Sequence, residues 1–272
     1  PTAVDAWVQL NRDYGSRPLG DLLQPAIKYA RDGFAIGPRV AADFKASADL
    51  IKGDTDASAL YLRDGENYKM GDRFSNPNLA KAMEEIAKHG RDGFYKGWVA
   101  DDILVKLQSL GGLHSAADFD AAIAEYVTPI KTKFRGYDIW ECPPNGQGVI
   151  ALLLLNIMSG VDKFGDHPIS LDRIHHEIEA GRLAYRDRSL YLADPAFCDV
   201  PVDDLLSADH AAAIRAQINP QKALEDLPET SLPRHKSTVY ISVVDNDRNA
   251  CSLINTVFHN FGAGYVAPKS GI

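Results

Sequence analysis

Thr238 stands at a chemically distinctive junction of the sequence. It follows the polar run 233–237 and directly precedes the strand-like run Val239–Val244. If the peptide bond after Ser237 were cleaved, the α-amino group of Thr238 would be released beside its own hydroxyl. That amine has a reference pKa of about 7.7–8.0, so it could act as the general base for this hydroxyl. On these residues alone, the strand propensity of threonine is the simpler explanation.

A glycine-rich run could suggest nucleotide binding. Residues 146–151 match the loose dinucleotide pattern G-x-G-x-x-A. That pattern needs a strand that runs directly into the first glycine, so that pyrophosphate meets the N-terminus of the following helix. Pro143 and Pro144 interrupt this approach. We therefore interpret the run as a loop that lets a helix pack closely.

Two other runs imitate metal sites. The spacing of Asp245, Asp247 and Asn249 resembles the start of a calcium loop, but Ala250 stands where that loop needs glycine. We predict a polar hairpin turn instead. The run 175–177, His-His-Glu, lies in a predicted helix, where neighbouring side chains point in different directions. A solvated helix face is therefore predicted there.

Composition excludes several functional classes. The chain of 272 residues has a net charge of −8 and no clustered basic run, which argues against nucleic-acid binding. The longest apolar run, 149–157, is shorter than the roughly 20 residues that cross a bilayer. Cys142, Cys198 and Cys251 lack metal-site spacing, and we expect each to be a small buried residue.

Hydrophobic periodicity predicts the elements that must position the junction. Helices are predicted over Leu19–Ala30, Asn78–His89, Ser115–Tyr126, Val149–Met158 and Leu171–Leu192. A strand is predicted over Lys133–Glu141. The phrase Arg-Asp-Gly-Phe follows two of these helices, at 31–34 and 91–94. We interpret it as a repeated turn that ends a helix and buries its phenylalanine side chain.

The last part of the chain changes in character at the junction. Residues Asn219–Ser237 contain three prolines and little apolar periodicity, which predicts a mobile surface linker. Val239–Val244 and Ala250–Val257 then predict the two strands of a hairpin.

Several runs together resemble the gamma-glutamyltransferase family of N-terminal-nucleophile hydrolases. The start of that family's small subunit is similar to Thr238–Asp245 with Asn249-Ala250, to Phe261–Gly264 and to Ser270–Ile272. Parts of its large subunit are similar to Ala3–Trp7, Pro143–Gly148, Tyr185–Arg188 and Tyr191–Pro195. These matches cover essentially the whole chain in the same order.

The resemblance implies a self-cleaving precursor and a fold. Cleavage would fall between Ser237 and Thr238, and Thr238 would be the nucleophile. Thr256 matches a threonine that hydrogen-bonds the nucleophile's hydroxyl, although an ordinary strand residue is the alternative. The implied fold class is α+β, the four-layer αββα sandwich, present here as a partial chain. No metal or organic cofactor is implied.

The resemblance also implies how the chain is divided. Residues 1–237 would be the C-terminal part of the large subunit and 238–272 the start of the small subunit, within one structural domain. The two products would remain together as a heterodimer. We expect both ends of the chain to be truncated, with a substrate-carboxylate arginine before Pro1 and the oxyanion-hole glycines after Ile272. No cellular compartment is predicted.

Phe258 departs from the family pattern. True transpeptidases carry there an asparagine that recognises the glutamyl α-amino group, and a phenyl ring cannot accept that hydrogen bond well. The expected substrate is a small-molecule amide of the γ-glutamyl or glutaryl type. The resemblance therefore implies a self-processing amidase or acyltransferase that acts on such amides through an acyl-enzyme. The alternatives are a cephalosporin (glutaryl) acylase-type hydrolase, and an uncleaved homologue that acts as a binding module.

Overall fold

The computed structural model describes residues 2–161, 167, 169–225 and 239–272. They form two compact units. The first unit comprises Pro1–Glu125 with Pro233–Ile272, and the second comprises Tyr126–Leu232. Helices and short antiparallel strand pairs occur together in the chain, as expected for an α+β protein. No helix among the described residues is long and apolar enough to cross a bilayer.

Helices dominate the first unit. They are α1 (Ala3–Tyr14), α2 (Leu19–Asp32), α3 (Pro38–Ala46), α4 (Ala48–Lys52), α5 (Thr55–Tyr61), α6 (Pro77–His89), α7 (Asp92–Tyr95), α8 (Gly97–Ser109) and α9 (Ala116–Asp120). The predicted helices at α2 and α6 are confirmed, and the two pack against each other. Asn76 caps α6, since its side chain accepts a hydrogen bond from the Leu79 N–H at 3.0 Å. One core cluster of this unit includes Val4, Ile86 and Tyr95.

The two Arg-Asp-Gly-Phe phrases adopt different structures. Gly33 of the first copy has a φ of +81° and ends α2, as predicted. The second copy instead forms α7, because Gly90 has already ended α6. Gly93 is needed there for close packing: a Cβ would lie 2.2 Å from the Glu85 carbonyl oxygen. The predicted repeated turn is therefore wrong for the second copy.

Helix α9 is shorter than predicted. Ser115 and Asp118 form the predicted capping box. The helix ends at Asp120, however, and the prediction that it continues to Tyr126 is wrong. Tertiary hydrogen bonds draw the chain away, because the Ala124 N–H donates to Asp5 Oδ2 at 2.7 Å. Gln9 Nε2 donates to the Ala124 carbonyl at 2.9 Å.

Short strand pairs complete the first unit. They are β1 (Phe34–Ala35) with β4 (Arg73–Phe74), β2 (Leu62–Arg63) with β3 (Glu66–Asn67), and β7 (Val239–Val244) with β8 (Ala250–Asn255). The predicted hairpin β7–β8 is confirmed, but β8 ends at Asn255 and not at Val257. Its turn is polar, as predicted: Asp245 Oδ1 accepts hydrogen bonds from the N–H groups of Asp247 and Asn249. Every residue of β7 is exposed.

The second unit is built around two long helices. Its elements are β5 (Ile130–Phe134), β6 (Tyr137–Glu141), α10 (Gly148–Ser159), α11 (Leu171–Tyr191), α12 (Val202–Leu205) and α13 (Ala208–Arg215). The predictions of α10 and α11 are confirmed, and Ser170 Oγ caps α11 by accepting from the Arg173 N–H. The strand predicted over 133–141 is instead a hairpin, since Arg135 and Gly136 turn the chain with φ values of +49° and +88°.

The three cysteines are exposed, so the prediction that each is buried is wrong. Cys142 lies in the loop before α10, and Cys198 lies in the loop after α11. Cys251 lies on β8, which leaves most of its residues exposed. Their positions in loops and on an open hairpin outweigh the usual preference of cysteine for the core.

Candidate active site

Two of the four predicted site residues belong to the described part of the chain. Thr256 and Phe258 lie in the turn that follows β8. Ser237 and Thr238 lie outside the described residues, as does the predicted linker from residue 226 to 237. The site is therefore built here from the hairpin β7–β8 and from the segment 256–272.

The register of the hairpin fixes which ends lie together. Val239, the first residue of β7, is the Cα partner of Asn255, the last residue of β8. Thr256 comes directly after Asn255. The Thr256 hydroxyl therefore lies at the end of the hairpin where β7 begins.

The turn after β8 has an uncommon backbone conformation. Phe258 has a φ of +71°, and an aromatic residue rarely adopts this left-handed region because its Cβ is crowded there. The Thr256 hydroxyl oxygen accepts a hydrogen bond of 3.0 Å from the Phe258 N–H, which closes a small turn. The His259 N–H donates to the Val257 carbonyl at 2.9 Å. Backbone strain of this kind costs about 1–3 kcal/mol and is concentrated at functional sites.

The hydrogen bond to Phe258 leaves the Thr256 hydroxyl with further bonding capacity. A hydroxyl has two acceptor lone pairs and one donor hydrogen. The bond from the Phe258 N–H uses one lone pair and orients the oxygen. The same group can donate its hydrogen to a second oxygen, so its chemistry suits the stabilisation of a neighbouring hydroxyl or alkoxide.

An aromatic cage holds the chain just after this turn. The Phe261 ring meets Phe44 and Tyr61 edge to face, with centroids 4.9 and 5.0 Å apart. Gly264 follows with a φ of +78°, and a Cβ at that position would lie 2.7 Å from Leu50. Only glycine fits there. The cage and the glycine together fix where the turn can lie.

Side chains from two helices hold the backbone of the next segment. Asp102 Oδ2 on α8 accepts hydrogen bonds from the N–H groups of Lys269, at 3.0 Å, and Ser270, at 2.7 Å. Asn76 Nδ2 donates to the Gly271 carbonyl at 2.8 Å. Asn78 Nδ2 donates to the Pro268 carbonyl at 2.9 Å. We call Asn76, Asn78 and Asp102 the backbone latch.

A charged cluster joins Lys106, which lies on α8 with Asp102, to two carboxylates at the start of α5. Lys106 Nζ contacts Asp54 Oδ2 at 2.5 Å and Asp56 Oδ2 at 2.6 Å. Burial raises the pKa of Asp54, but the hydrogen bonds from Lys106 and from the Ala57 N–H outweigh it, so the pKa lies below its ordinary value. Burial lowers the pKa of Lys106, and its two carboxylate partners raise it above its ordinary value. Asp54 and Lys106 are therefore both charged at neutral pH.

In the second unit, the Tyr-Arg-Asp-Arg run lies on α11. Asp187 is 2% exposed and accepts hydrogen bonds from His210 Nε2, at 2.7 Å, and from Arg186 Nε, at 3.1 Å. His210 belongs to α13, so these contacts tie α13 to α11. The nearby histidines bond to separate carbonyls: His175 Nε2 to Asn219 and His176 Nδ1 to Asp172, each at 2.7 Å. Glu177 is exposed, as predicted for a solvated helix face, whereas both histidines are half-buried and His175 contacts a segment outside α11.

Sequence reasoning missed the residues that hold the site. Asp102 carries a visible signal, because it lies among the buried residues of α8 with Val99 and Leu104. A carboxylate at such a position needs a buried partner. The identity of that partner, about 170 residues away, could not be read from any local pattern.

Comparisons with known proteins give a consistent result. The family model described as gamma-glutamyltranspeptidase matches residues 1–272. A glutathione hydrolase proenzyme of Escherichia coli (strain K12) is 38% identical over 267 residues, covering 95% of this chain and 46% of the relative. An acylase ACY 1 proenzyme of Pseudomonas sp. (strain SE83) is 31% identical over 277 residues, covering 100% of this chain and 49% of the relative.

Solved structures give the same result. The crystal structure of cephalosporin acylase from Bacillus halodurans matches with a TM-score of 0.89 at 34% identity, covering 99% of this chain and 50% of that one. This likeness confirms the predicted α+β fold of the N-terminal-nucleophile hydrolase type. The chain spans about half the length of the curated relatives it matches.

Proposed function

This chain belongs to the gamma-glutamyltranspeptidase family, and we propose that the protein is a self-processing amidase whose nucleophile is Thr238. Both relatives described above are named proenzymes, one a glutathione hydrolase and the other an acylase. A precursor that must be cut is consistent with a nucleophile whose amine is released by cleavage.

The first reaction is self-cleavage. The Thr238 hydroxyl attacks the carbonyl carbon of Ser237, the C–N bond breaks, and the nitrogen takes up a proton as the amine. Water then hydrolyses the resulting ester, which yields the Ser237 carboxylate and restores the Thr238 hydroxyl. Before cleavage the Thr238 nitrogen is an amide and cannot act as a base, so the precursor is inactive toward substrates.

The second reaction is turnover of a substrate amide. The neutral amine of Thr238 accepts the proton of its own hydroxyl, and the oxygen attacks the substrate carbonyl. The amine leaving group departs with a proton, and an acyl ester remains on Thr238. Water releases the acid, whereas an acceptor amine forms a new amide. The same enzyme can therefore be a hydrolase or a transferase.

The observation that carries this proposal is the placement of Thr256. Its hydroxyl lies at the end of the hairpin where β7 begins, and Thr238 is the residue joined to Val239 in the sequence. The bond from the Phe258 N–H orients that hydroxyl. A donor in this position would stabilise the developing charge on a nucleophilic oxygen.

Intact-mass analysis of the full-length protein tests the proposal. We expect two products separated between Ser237 and Thr238, and activity that appears together with them. Thr238→Ala should abolish both cleavage and turnover. Ser242→Ala removes another hydroxyl from the same strand and should leave both unchanged. A single uncut species from the wild-type gene would instead support the binding-module alternative.

The substrate class is a second part of the proposal. Phe258 is 42% exposed and its ring lies edge-on to His259, with centroids 4.9 Å apart. A phenyl ring provides apolar contact but no acceptor for an α-amino group. This favours a glutaryl-type acyl group over a γ-glutamyl one. Hydrolysis rates of the two matching anilides would distinguish the candidates.

The proposed cleavage would also create a heterodimer. The latch residues and the cage residues Phe44 and Tyr61 precede the cleavage point, whereas residues 261–271 follow it. Their contacts would become contacts between two chains. We therefore propose that the two products remain associated after processing.

A further inference from the structure

His259 is held in the same turn as Thr256 and Phe258. Its backbone N–H donates to the Val257 carbonyl at 2.9 Å, and its carbonyl accepts a hydrogen bond of 2.9 Å from the Gly262 N–H. Both backbone polar groups of His259 are therefore engaged by near neighbours. The turn itself thus fixes the point from which the imidazole projects.

The imidazole of His259 has unused hydrogen-bonding capacity. The residue is half-buried, yet neither ring nitrogen makes a hydrogen bond or an ion pair within the part of the chain that the structure describes. The histidines of α11 differ, since His175 and His176 each bond a backbone carbonyl. A neutral imidazole has one donor and one acceptor nitrogen, and a protonated one has two donors. In either state His259 has an N–H to donate to a ligand.

Phe258 and His259 present an apolar ring beside a hydrogen-bonding ring. Their ring planes are perpendicular, at 90°, and the centroids are 4.9 Å apart. A ligand that contacts both rings therefore needs an apolar stem that ends in a hydrogen-bond acceptor. A carboxylate suits this position, because hydrogen bonds to an ionised acceptor are roughly twice as strong as those between neutral groups. An α-ammonium group only donates and does not match the N–H of His259.

This ring pair lies close to the end of the hairpin where β7 begins. Asn255 is the Cα partner of Val239 there, and the chain turns directly after Asn255. The hydrogen bond of 3.0 Å from the Phe258 N–H to the Thr256 hydroxyl keeps the turn short. Both rings and the start of β7 belong to the first unit. An acyl group bound at Thr238, the residue joined to Val239, would therefore have the ring pair as a neighbour.

We propose that His259 is a specificity-determining residue for dicarboxylic acyl groups such as glutaryl, an inference that rests on the proposed function. The His259 N–H donates to the free carboxylate of the acyl group, and the Phe258 ring contacts its methylene groups. A carboxylate has two acceptor oxygens, so another donor can bind the second oxygen at the same time. The contact lies away from the carbonyl that Thr238 attacks, so it selects the substrate and takes no part in proton transfer.

Two anilides that differ only at the end of the acyl chain test this role. Glutaryl para-nitroanilide carries the free carboxylate, and pentanoyl para-nitroanilide has a methyl group in its place. The full-length, cleaved enzyme should favour the glutaryl compound. His259→Leu removes both ring nitrogens, and we expect the ratio of the two kcat/KM values to fall roughly tenfold. His259→Gln keeps an N–H donor and should hold that ratio within about threefold of wild type.

Another histidine of the first unit gives a matched control. His114 is exposed in the loop before α9, and His114→Leu makes the same exchange there. Its substrate ratio should equal that of the wild type. If His259→Leu does not mature, His259→Phe removes the same nitrogens while keeping a ring, and it should lower the ratio in the same way.

A binding measurement separates this role from the proposed reaction. Glutarate added to the wild-type protein should shift the imidazole NMR signals of His259, which are assigned by their absence from His259→Gln. This titration needs no turnover. A wild-type protein that is never cleaved would overturn the proposed function, whereas the absence of a shift on adding glutarate would overturn the role of His259.

Three kinetic results would also overturn that role. An unchanged substrate ratio in His259→Leu would show that the imidazole does not reach the carboxylate. Equal losses on both anilides would show that His259 only supports the turn. A loss in His259→Gln as large as that in His259→Leu would show that the N–H donor is not used.

Discussion

The carboxylate of Asp102 accepts a hydrogen bond of 2.7 Å from the backbone N–H of Ser270, which lies 168 positions further along the chain. Asp102→Ala would leave this buried donor without its acceptor, and such a loss costs about 1–3 kcal/mol. We expect the free energy of unfolding of the full-length protein to fall by about 2 kcal/mol, measured by urea denaturation. Asp101→Ala changes an exposed neighbour and should shift the free energy of unfolding by less than about 0.5 kcal/mol. Equal effects of the two variants would contradict the latch.

The aromatic cage predicts a second stability effect. Phe261→Ala removes the ring that contacts Phe44 and Tyr61, and we expect a loss of about 2–3 kcal/mol because Phe261 is only partly buried. The turn that carries Thr256 should also become less well placed, so processing should slow. Phe197→Ala serves as the control, since Phe197 is 89% exposed. A variant at Phe261 that melts and matures like the wild type would show that the cage does not hold the turn.

Phe258 predicts a change in both stability and selectivity. Asparagine tolerates a positive φ far better than phenylalanine does, so Phe258→Asn should relieve strain and raise the free energy of unfolding by about 1 kcal/mol. The amide can also bond an α-amino group. We expect the ratio of γ-glutamyl to glutaryl anilide hydrolysis to rise roughly tenfold.

Phe258→Leu gives the matched control for this prediction. Leucine removes the ring, but the position keeps its strained φ, and the new side chain still has no hydrogen-bonding group. Its unfolding free energy and its substrate ratio should therefore not rise. If Phe258→Leu changes selectivity as much as Phe258→Asn does, ring size determines the preference.

Asp54 predicts how stability depends on pH. Its pKa is lowered in the folded protein, so the unfolded chain takes up the proton first as the pH falls. The stabilisation is complete above the unfolded pKa of about 3.9 and is lost as the pH falls through the lower folded pKa. Urea midpoints between about pH 5 and pH 2 should therefore fall less steeply in Asp54→Asn than in wild type. The exposed Asp49→Asn should follow the wild-type dependence of the urea midpoint on pH. If Asp54→Asn also shows the wild-type slope, this role for Asp54 is excluded.

Local elements could be predicted wherever one period dominates the sequence. The apolar run of α10 and the capped run of α11 each point to a helix, and the β-branched run of β7 points to a strand. The turn at Asp245 was predictable because its side chain bonds backbone groups two and four residues ahead. The resemblance of motifs identified the family and the candidate site residues.

Features that depend on distant partners could not be predicted. The early end of α9 results from hydrogen bonds between Ala124 and α1, which no local pattern contains. β8 ends at Asn255, and the turn after it includes a positive φ at Phe258, an unexpected conformation for that residue type. Glu179 and Arg182 of α11 hydrogen-bond the backbone of Leu224, which belongs to a segment whose composition predicts mobility. At α9 and at Leu224 a tertiary contact outweighs local propensity.

The exposed hairpin β7–β8 has a practical consequence for the laboratory. Tyr240, Ile241 and Val243 are exposed on a hairpin that pairs with no further strand among the described residues, and such ribbons recruit other strands. Residues 1–272 produced alone would therefore tend to precipitate, and dilution or a mild detergent would help to keep them in solution. Lysine at Val243 would be a reasonable first substitution for improving the yield of a recombinant preparation.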